Sequence, residues 1–372
     1  MSLFIGLMSG TSLDGVDGVL VDSDSDPSAL RERAFIHLPF PPELRLELLA
    51  LNVTGPDELH RAAMAGTALA RVYAQAVEQI CAMAGTMPVQ VAALGAHGQT
   101  VRHRPREFDG VGYTLQVLNG SLLAELTGID VVCDFRSRDL AAGGIGAPLV
   151  PAFHAAVYSQ AERDVAVLNL GGIANLTLLP AAGQVGGFDC GPGNVLMDLW
   201  VQRHTRQLYD ANGECAASGQ VDPALLRCLL AEPYLALPPP KSTGRDLFNA
   251  PWLDDRLAQS GAGLAKADVM ATLAEFTART VVDSLQHAMP SVQTLLVCGG
   301  GASNAHLMRR LGSLLPTEVA ISSTDSQCIP PGHVEALAFA WLAREHAARR
   351  CGNLPAVTGA RGYRVLGALY PA

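Results

Sequence analysis

The chain has 372 residues, of which 49% are hydrophobic and 16% charged, and it carries a net charge of −9. That length exceeds what one core usually serves, so two domains are expected, and the apolar content excludes a disordered tail or a coiled coil. No basic cluster interleaved with aromatics offers a nucleic-acid footprint, no apolar run reaches membrane-spanning length, and the start has no leader-like pattern.

Residues 3–22, LFIGLMSGTSLDGVDGVLVD, run apolar, then small and polar, then apolar again, which predicts a hairpin. Its turn offers backbone N–H groups, and its glycines permit close approach of a phosphate. Gly10, Thr11, Ser12, Leu13, Asp14, Gly15, Val16 and Asp17 are therefore candidate nucleotide contacts. Asp14 and Asp17 suit magnesium waters or sugar hydroxyls, and as hairpin residues they equally suit capping of the turn; ligand contact is the reading adopted for Asp14.

Helical spacing of Ala, Leu, Val and Ile predicts a helix over residues 58–85, and VQVAALGAHGQT beyond it reads as a buried strand leading into a polar loop with His97. The Gly/Pro-dense residues 140–153 predict irregular structure and a domain boundary. The expected domains are 1–139 and 140–352, with 353–372 free to return to the first.

Residues 164–179 repeat the opening pattern, with Gly171 and Gly172 in the turn. A Pro-rich loop at 236–248 precedes a helix over 269–289, and TLLVCGGGASN at 294–304 is a strand ending in a third turn that holds Gly299, Gly300 and Asn304. Leu307, Leu311, Leu314 and Leu315 share one helical face, and residues 333–350 predict a last helix, apolar on one side. Eight scattered cysteines without a CxxC pair read as reduced thiols of a cytoplasmic protein.

Each turn alone is a weak signal, because glycines between strands are often purely structural. Lys241 to Thr243 follow prolines where a Walker loop needs Gly, which disfavours that nucleotide fold. Two like hairpins followed by LLVCGGGASNAHLMRRL together resemble the sugar kinase, Hsp70 and actin superfamily, in which the third turn holds adenosine. The resemblance implies an α/β, two-domain actin-like ATPase (ribonuclease H-like) architecture with an interdomain cleft.

A narrower set, IGLMSGTSLDGVDGVLVD, GAHGQTVRHRP, TGIDVVCDFRSRDLAAGG, LNLGGIANLT, FDCGPGNVLMD, YDANGECAASGQVD and PPPKSTGRDLFN, is similar to the anhydro-N-acetylmuramic acid kinases of bacteria. That resemblance implies ATP-dependent phosphorylation of O6 of a small amino sugar with hydrolytic opening of its 1,6-anhydro ring. It also implies magnesium, with no ligands assigned to it, and a cytoplasmic homodimer.

The superfamily opens each phosphate turn with an acidic residue, whereas Met8 and Asn169 stand there in this chain. The family's catalytic aspartate falls in FDCGPGN, which makes Asp189 the candidate general base. The alternative for Asp189 is a loop carboxylate that accepts backbone N–H bonds. His97, Arg136 and Arg138 suit the polar sugar and its lactyl carboxylate. A satisfied core histidine, or an arginine bracing a hinge through Asp134 or Asp139, are the competing roles.

Glu335 opens the last helix, where it either serves the helix dipole or touches the substrate. The chain departs from the family pattern at Ile145 and in LQVLNGSLLAE, including residues 117–121. Two other readings stay open: an ordinary sugar kinase acting on a free hydroxyl, and an actin- or Hsp70-like ATP-driven binding protein.

Overall fold

The computed structural model describes residues 2–10, 12–23, 30–205, 207–239, 241–261 and 263–372. They form two compact units, one made of residues up to 157 together with 333–372, the other of residues 158–332.

In the first unit Ser2–Met8, Gly15–Ser23 and Leu30–Pro39 make an antiparallel meander. Val91–Ala96 runs parallel to Ser2–Met8, Val131–Cys133 runs parallel to Val91–Ala96, and Ala368–Tyr370 closes that edge. Five of these six strands thus stand in the ribonuclease H-like order, third-second-first-fourth-fifth.

The second unit repeats that order. Gly186–Pro192, Ile173–Leu179 and Val165–Leu170 are antiparallel, and Thr294–Cys298 and Ala320–Ser323 continue in parallel. The similarity of the two opening hairpins in the sequence is therefore a similarity of whole sheets. Long helices cover each: Glu58–Ala84 buries Leu69, Tyr73, Val77 and Ile80 against the first, and Lys266–Ala288 buries Phe276, Val281 and Leu285 against the second. Among the described residues no helix is long and apolar enough to cross a membrane.

The helix Val334–Ala347 lies directly on the first sheet because two glycines let it. A Cβ on Gly6 would stand 1.9 Å from the Ala336 carbonyl oxygen, and one on Gly95 would stand 1.9 Å from that of Phe339. Close approach of backbone to backbone requires glycine at both positions. Burial extends nearly all round this helix, where one apolar side was expected. Its Arg344 and Glu345 are buried as an ion pair, and Arg350 adds to the same carboxylate.

Residues 140–153 are less irregular than their Gly/Pro content suggests, since helices Ser137–Ala141 and Val150–Tyr158 occupy both ends of the stretch. Phe153 is fully buried and meets the Trp341 ring edge-on at 6.3 Å. That contact joins 150–157 to the first unit, as the two sheet glycines join 334–347. The limits at 157/158 and 332/333 therefore differ from the expected 139/140 and 352/353. All eight cysteines are free.

Candidate functional site

The first turn is braced from within and by a neighbouring side chain. Leu13, with φ +56°, donates its amide to the Gly10 carbonyl at 3.3 Å, and Arg45 Nε donates to the Leu13 carbonyl at 3.0 Å. The Leu13 and Val16 side chains are core residues, which leaves only their backbone available to a ligand. Gly15 is needed for packing, because a Cβ there would lie 2.4 Å from the Leu38 carbonyl oxygen. Gly10 is sterically open, its nearest neighbour in that direction being Ser12 Oγ at 3.7 Å. Thr11 lies outside the described residues.

Of the two turn carboxylates, Asp14 is exposed and accepts from Ser12 Oγ at 2.7 Å. Asp17 pairs with His37 Nδ1 at 2.7 Å, and burial raises its pKa despite that partner.

The segment after Val91–Ala96 grips the start of this turn. His97 donates its amide to the Leu7 carbonyl at 2.9 Å, and its Nδ1 meets the Ser9 carbonyl at 3.2 Å. Gln99 Nε2 donates to the Gly10 carbonyl at 3.1 Å, and Ser9 Oγ reaches Tyr73 at 2.8 Å and the Gly98 carbonyl at 3.1 Å. On the other edge of its ring, His97 Nε2 accepts from Arg136 Nη2 at 2.9 Å and Nε at 3.3 Å. Burial, then the neighbouring guanidinium, pushes the His97 pKa down to about 3, so the ring is neutral. A guanidinium has no acceptor, which fixes the proton on Nδ1.

Arg136 Nη1 donates to the Gly146 carbonyl at 2.8 Å, so among the described residues one N–H on each terminal nitrogen has no hydrogen-bond acceptor. Burial lowers its pKa to about 10, and Glu335 opposes that shift, which puts the two in electrostatic contact. Arg138 is exposed. Neither arginine braces Asp134 or Asp139: Asp134 accepts from Ser137 at 2.6 Å, and buried Asp139 is held by Asn353 at 2.7 Å, Thr358 at 2.8 Å and the Gly146 amide at 2.9 Å.

In the second unit the Gly171 and Gly172 carbonyls accept amides from residues 193–195 at 2.9 to 3.1 Å, so the hairpin is clamped by the start of helix Val195–His204. Neither glycine meets anything closer than 3.6 Å where a Cβ would stand. Gly299 has φ +79° and presses against Asn169 and Leu170, whereas Gly300 has open space around it. Asn304 caps helix Ala305–Leu314, its Oδ1 accepting the Leu307 amide at 3.0 Å, and that local role accounts for its choice.

Asp189 stands on the strand Gly186–Pro192, at an irregularity in pairing between Asp189 and Gly191, where a loop was expected. A break in register of this kind re-aims a side chain. Oδ2 accepts the Ser242 hydroxyl at 2.8 Å and the Thr243 amide at 3.0 Å, and the Asp189 amide donates to the Lys241 carbonyl at 3.2 Å. Among the described residues Oδ1 accepts no hydrogen bond. Burial raises the Asp189 pKa, and Thr243, Ser242 and Lys241 pull it back.

Lys241 Nζ donates to the Leu235 carbonyl at 2.9 Å and lies 4.9 Å from the Tyr234 ring centroid. The contacts of residues 241–243 with Asp189 were missed in the sequence. In the sequence that Lys-Ser-Thr run is a failed Walker loop and part of the motif PPPKSTGRDLFN, and neither reading points to a partner 53 residues away. Among the described residues no group of three His, Cys, Asp or Glu side chains is arranged to hold a metal ion.

Two sheets of one ribonuclease H-like order, each opened by a glycine turn, define an α/β chain of the actin-like class that includes sugar kinases. The family model for anhydro-N-acetylmuramic acid kinase matches residues 2–372. An anhydro-N-acetylmuramic acid kinase of Variovorax paradoxus is 62% identical over 100% of this chain and 99% of its own. That of Bordetella petrii is 60% identical over 100% and 96%, and that of Pseudomonas putida is 52% identical over 100% of both. The chain belongs to the anhydro-N-acetylmuramic acid kinase family and is a phosphotransferase.

Proposed function

We propose that the chain phosphorylates O6 of 1,6-anhydro-N-acetylmuramic acid with ATP while water opens the anhydro ring, giving N-acetylmuramic acid 6-phosphate and ADP in cell-wall recycling. The observation that carries this reading is Asp189, a partly exposed carboxylate with one oxygen fixed by Ser242 and Thr243 and the other without a hydrogen bond among the described residues. An anhydro sugar has no 6-hydroxyl to deprotonate, so a base at the start of a phosphate turn is not required, and Met8 and Asn169 fit that chemistry.

Asp189 takes a proton from water. The water oxygen bonds the anomeric carbon as its bond to O6 breaks, and O6 takes the γ-phosphoryl group of ATP, releasing ADP. The step follows the logic of inverting glycoside hydrolysis, with phosphoryl transfer in place of protonation of the leaving oxygen.

In this reading Gly10 to Asp17, Gly171 and Gly172 serve the phosphates through backbone N–H groups, and Gly299, Gly300 and Asn304 form the adenosine turn. Arg136, with its two remaining N–H donors, Arg138 and Glu335 serve the sugar. Magnesium takes oxygen ligands and commonly keeps only one or two carboxylates beside phosphates, which suits exposed Asp14. It would supply charge neutralisation on the phosphate chain. A cytoplasmic homodimer belongs to the same reading.

Incubation with Mg-ATP and the anhydro sugar tests it by mass spectrometry. The expected product gains both phosphate and water. Phosphate without water points to an ordinary sugar kinase, and ATP hydrolysis alone to an ATP-driven binding protein; either overturns the proposal.

A further inference from the structure

We propose that His97 is a positioning residue that couples the first glycine turn to the sugar-binding Arg136, without itself touching either substrate. The inference rests on the proposed function, in which the turn serves ATP and Arg136 the sugar.

The geometry is that of a bridge with two different ends. The imidazole is 5% exposed and has both nitrogens engaged, Nδ1 on the Ser9 carbonyl and Nε2 on Arg136. Phe339, on the helix that carries Glu335, packs against the ring at 4.8 Å and limits its rotation. No nitrogen is left for a ligand. Ser9 immediately precedes Gly10, so a shift of the turn around a phosphate moves the carbonyl that orients the ring. The ring in turn sets the guanidinium, whose third anchor is the Gly146 carbonyl. Arg136 therefore offers its two remaining donors in a direction that depends on Ser9. Such a dependence is a coupling free energy, and it acts equally in both directions.

The two ends can be cut separately. In His97→Asn the amide nitrogen can stand near Nδ1 and still donate to Ser9, but nothing accepts from Arg136. In His97→Gln the amide oxygen can stand near Nε2 and accept from Arg136, but the Ser9 bond is lost. The measurement is the sugar Kd by calorimetry, with and without a non-hydrolysable ATP analogue with magnesium.

In the wild-type chain the analogue is expected to tighten sugar binding about fivefold or more. In His97→Gln the sugar Kd without nucleotide stays near the wild-type value, while the tightening disappears. In His97→Asn the sugar Kd without nucleotide rises. Tightening that is absent from the wild-type chain, or unchanged in both variants, overturns the bridge alone. A wild-type chain that binds no anhydro sugar overturns the functional reading and the bridge with it.

A second measurement needs no variant. In wild-type chain labelled with nitrogen-15 histidine, the Nδ1-protonated tautomer of His97 is expected to persist when the sugar binds. A change to the Nε2-protonated form on sugar binding would show a ring that has left Arg136, and would overturn the proposal.

Discussion

Thr243 donates its amide to Oδ2 of Asp189 at 3.0 Å although the two residues are 54 apart in the chain. With the Ser242 hydroxyl on the same oxygen, the loop after the prolines acts as a cradle for one carboxylate. Both bonds favour the ionised form, against the burial that disfavours it.

The cradle predicts a pH effect. A general base works as the carboxylate, so activity falls as pH drops through its pKa. Ser242→Ala removes one bond that favours the anion, and the Asp189 pKa rises further. The acid limb of the kcat profile should move up by about one pH unit for a bond worth ~1.5 kcal/mol. An unmoved acid limb in Ser242→Ala would count against Asp189 as the titrating base.

Asp189→Asn keeps a side-chain oxygen for Ser242 and Thr243 and so keeps the cradle. It removes the proton acceptor. Turnover should fall by at least about a hundredfold, with ring opening and phosphate transfer lost together, while the melting temperature and ATP binding stay near wild type. Ring-opened sugar released without phosphate by this variant would contradict a single concerted event.

Glycines that serve packing and glycines that serve a ligand should separate experimentally. Gly95→Ala places a Cβ 1.9 Å from the Phe339 carbonyl oxygen, and the helix must move. A loss of about 1–3 kcal/mol or more is expected in chemical denaturation, with weaker sugar binding because Glu335 rides on that helix. Gly300→Ala meets nothing within 4 Å, so stability should stay within about 0.5 kcal/mol. If this turn lies against adenosine, the KM for ATP should nevertheless rise, and a KM equal to wild type would remove Gly300 from the nucleotide site.

The parts legible in the sequence were those with local signals. The first hairpin and the helix Glu58–Ala84 ending at Gly85 were visible because alternation and helical spacing act over short stretches. The roles of individual residues depended on distant partners. Leu13 and Val16 read as turn residues but are core, and Gly15 makes room for Leu38. Asp139 looked like a partner for an arginine and is satisfied by Asn353 and Thr358, more than 200 residues later. Domain limits were hidden for the same reason, since only the Phe153 and Trp341 contact and the clearances at Gly6 and Gly95 show where two helices belong.

Asp198 offers a test in which stability, rather than turnover, is read. It sits in the first turn of helix Val195–His204, where the helix dipole favours a negative charge, and Arg245 attracts it as well. Burial outweighs both and raises its pKa from 3.8 to about 6. A group whose folded pKa is raised stabilises the fold while protonated, below the unfolded pKa, and loses that contribution as pH rises through the folded one. Wild-type stability relative to Asp198→Asn should therefore decline between about pH 4 and about pH 6 and remain level above. Partial exposure limits the difference to about 1–2 kcal/mol. Above pH 6 Asp198→Asn should be the more stable chain in urea unfolding. If the variant is instead less stable at pH 7.5 and equal at pH 4, the attraction of Arg245 and the helix dipole outweighs burial, and the Asp198 pKa is lowered rather than raised.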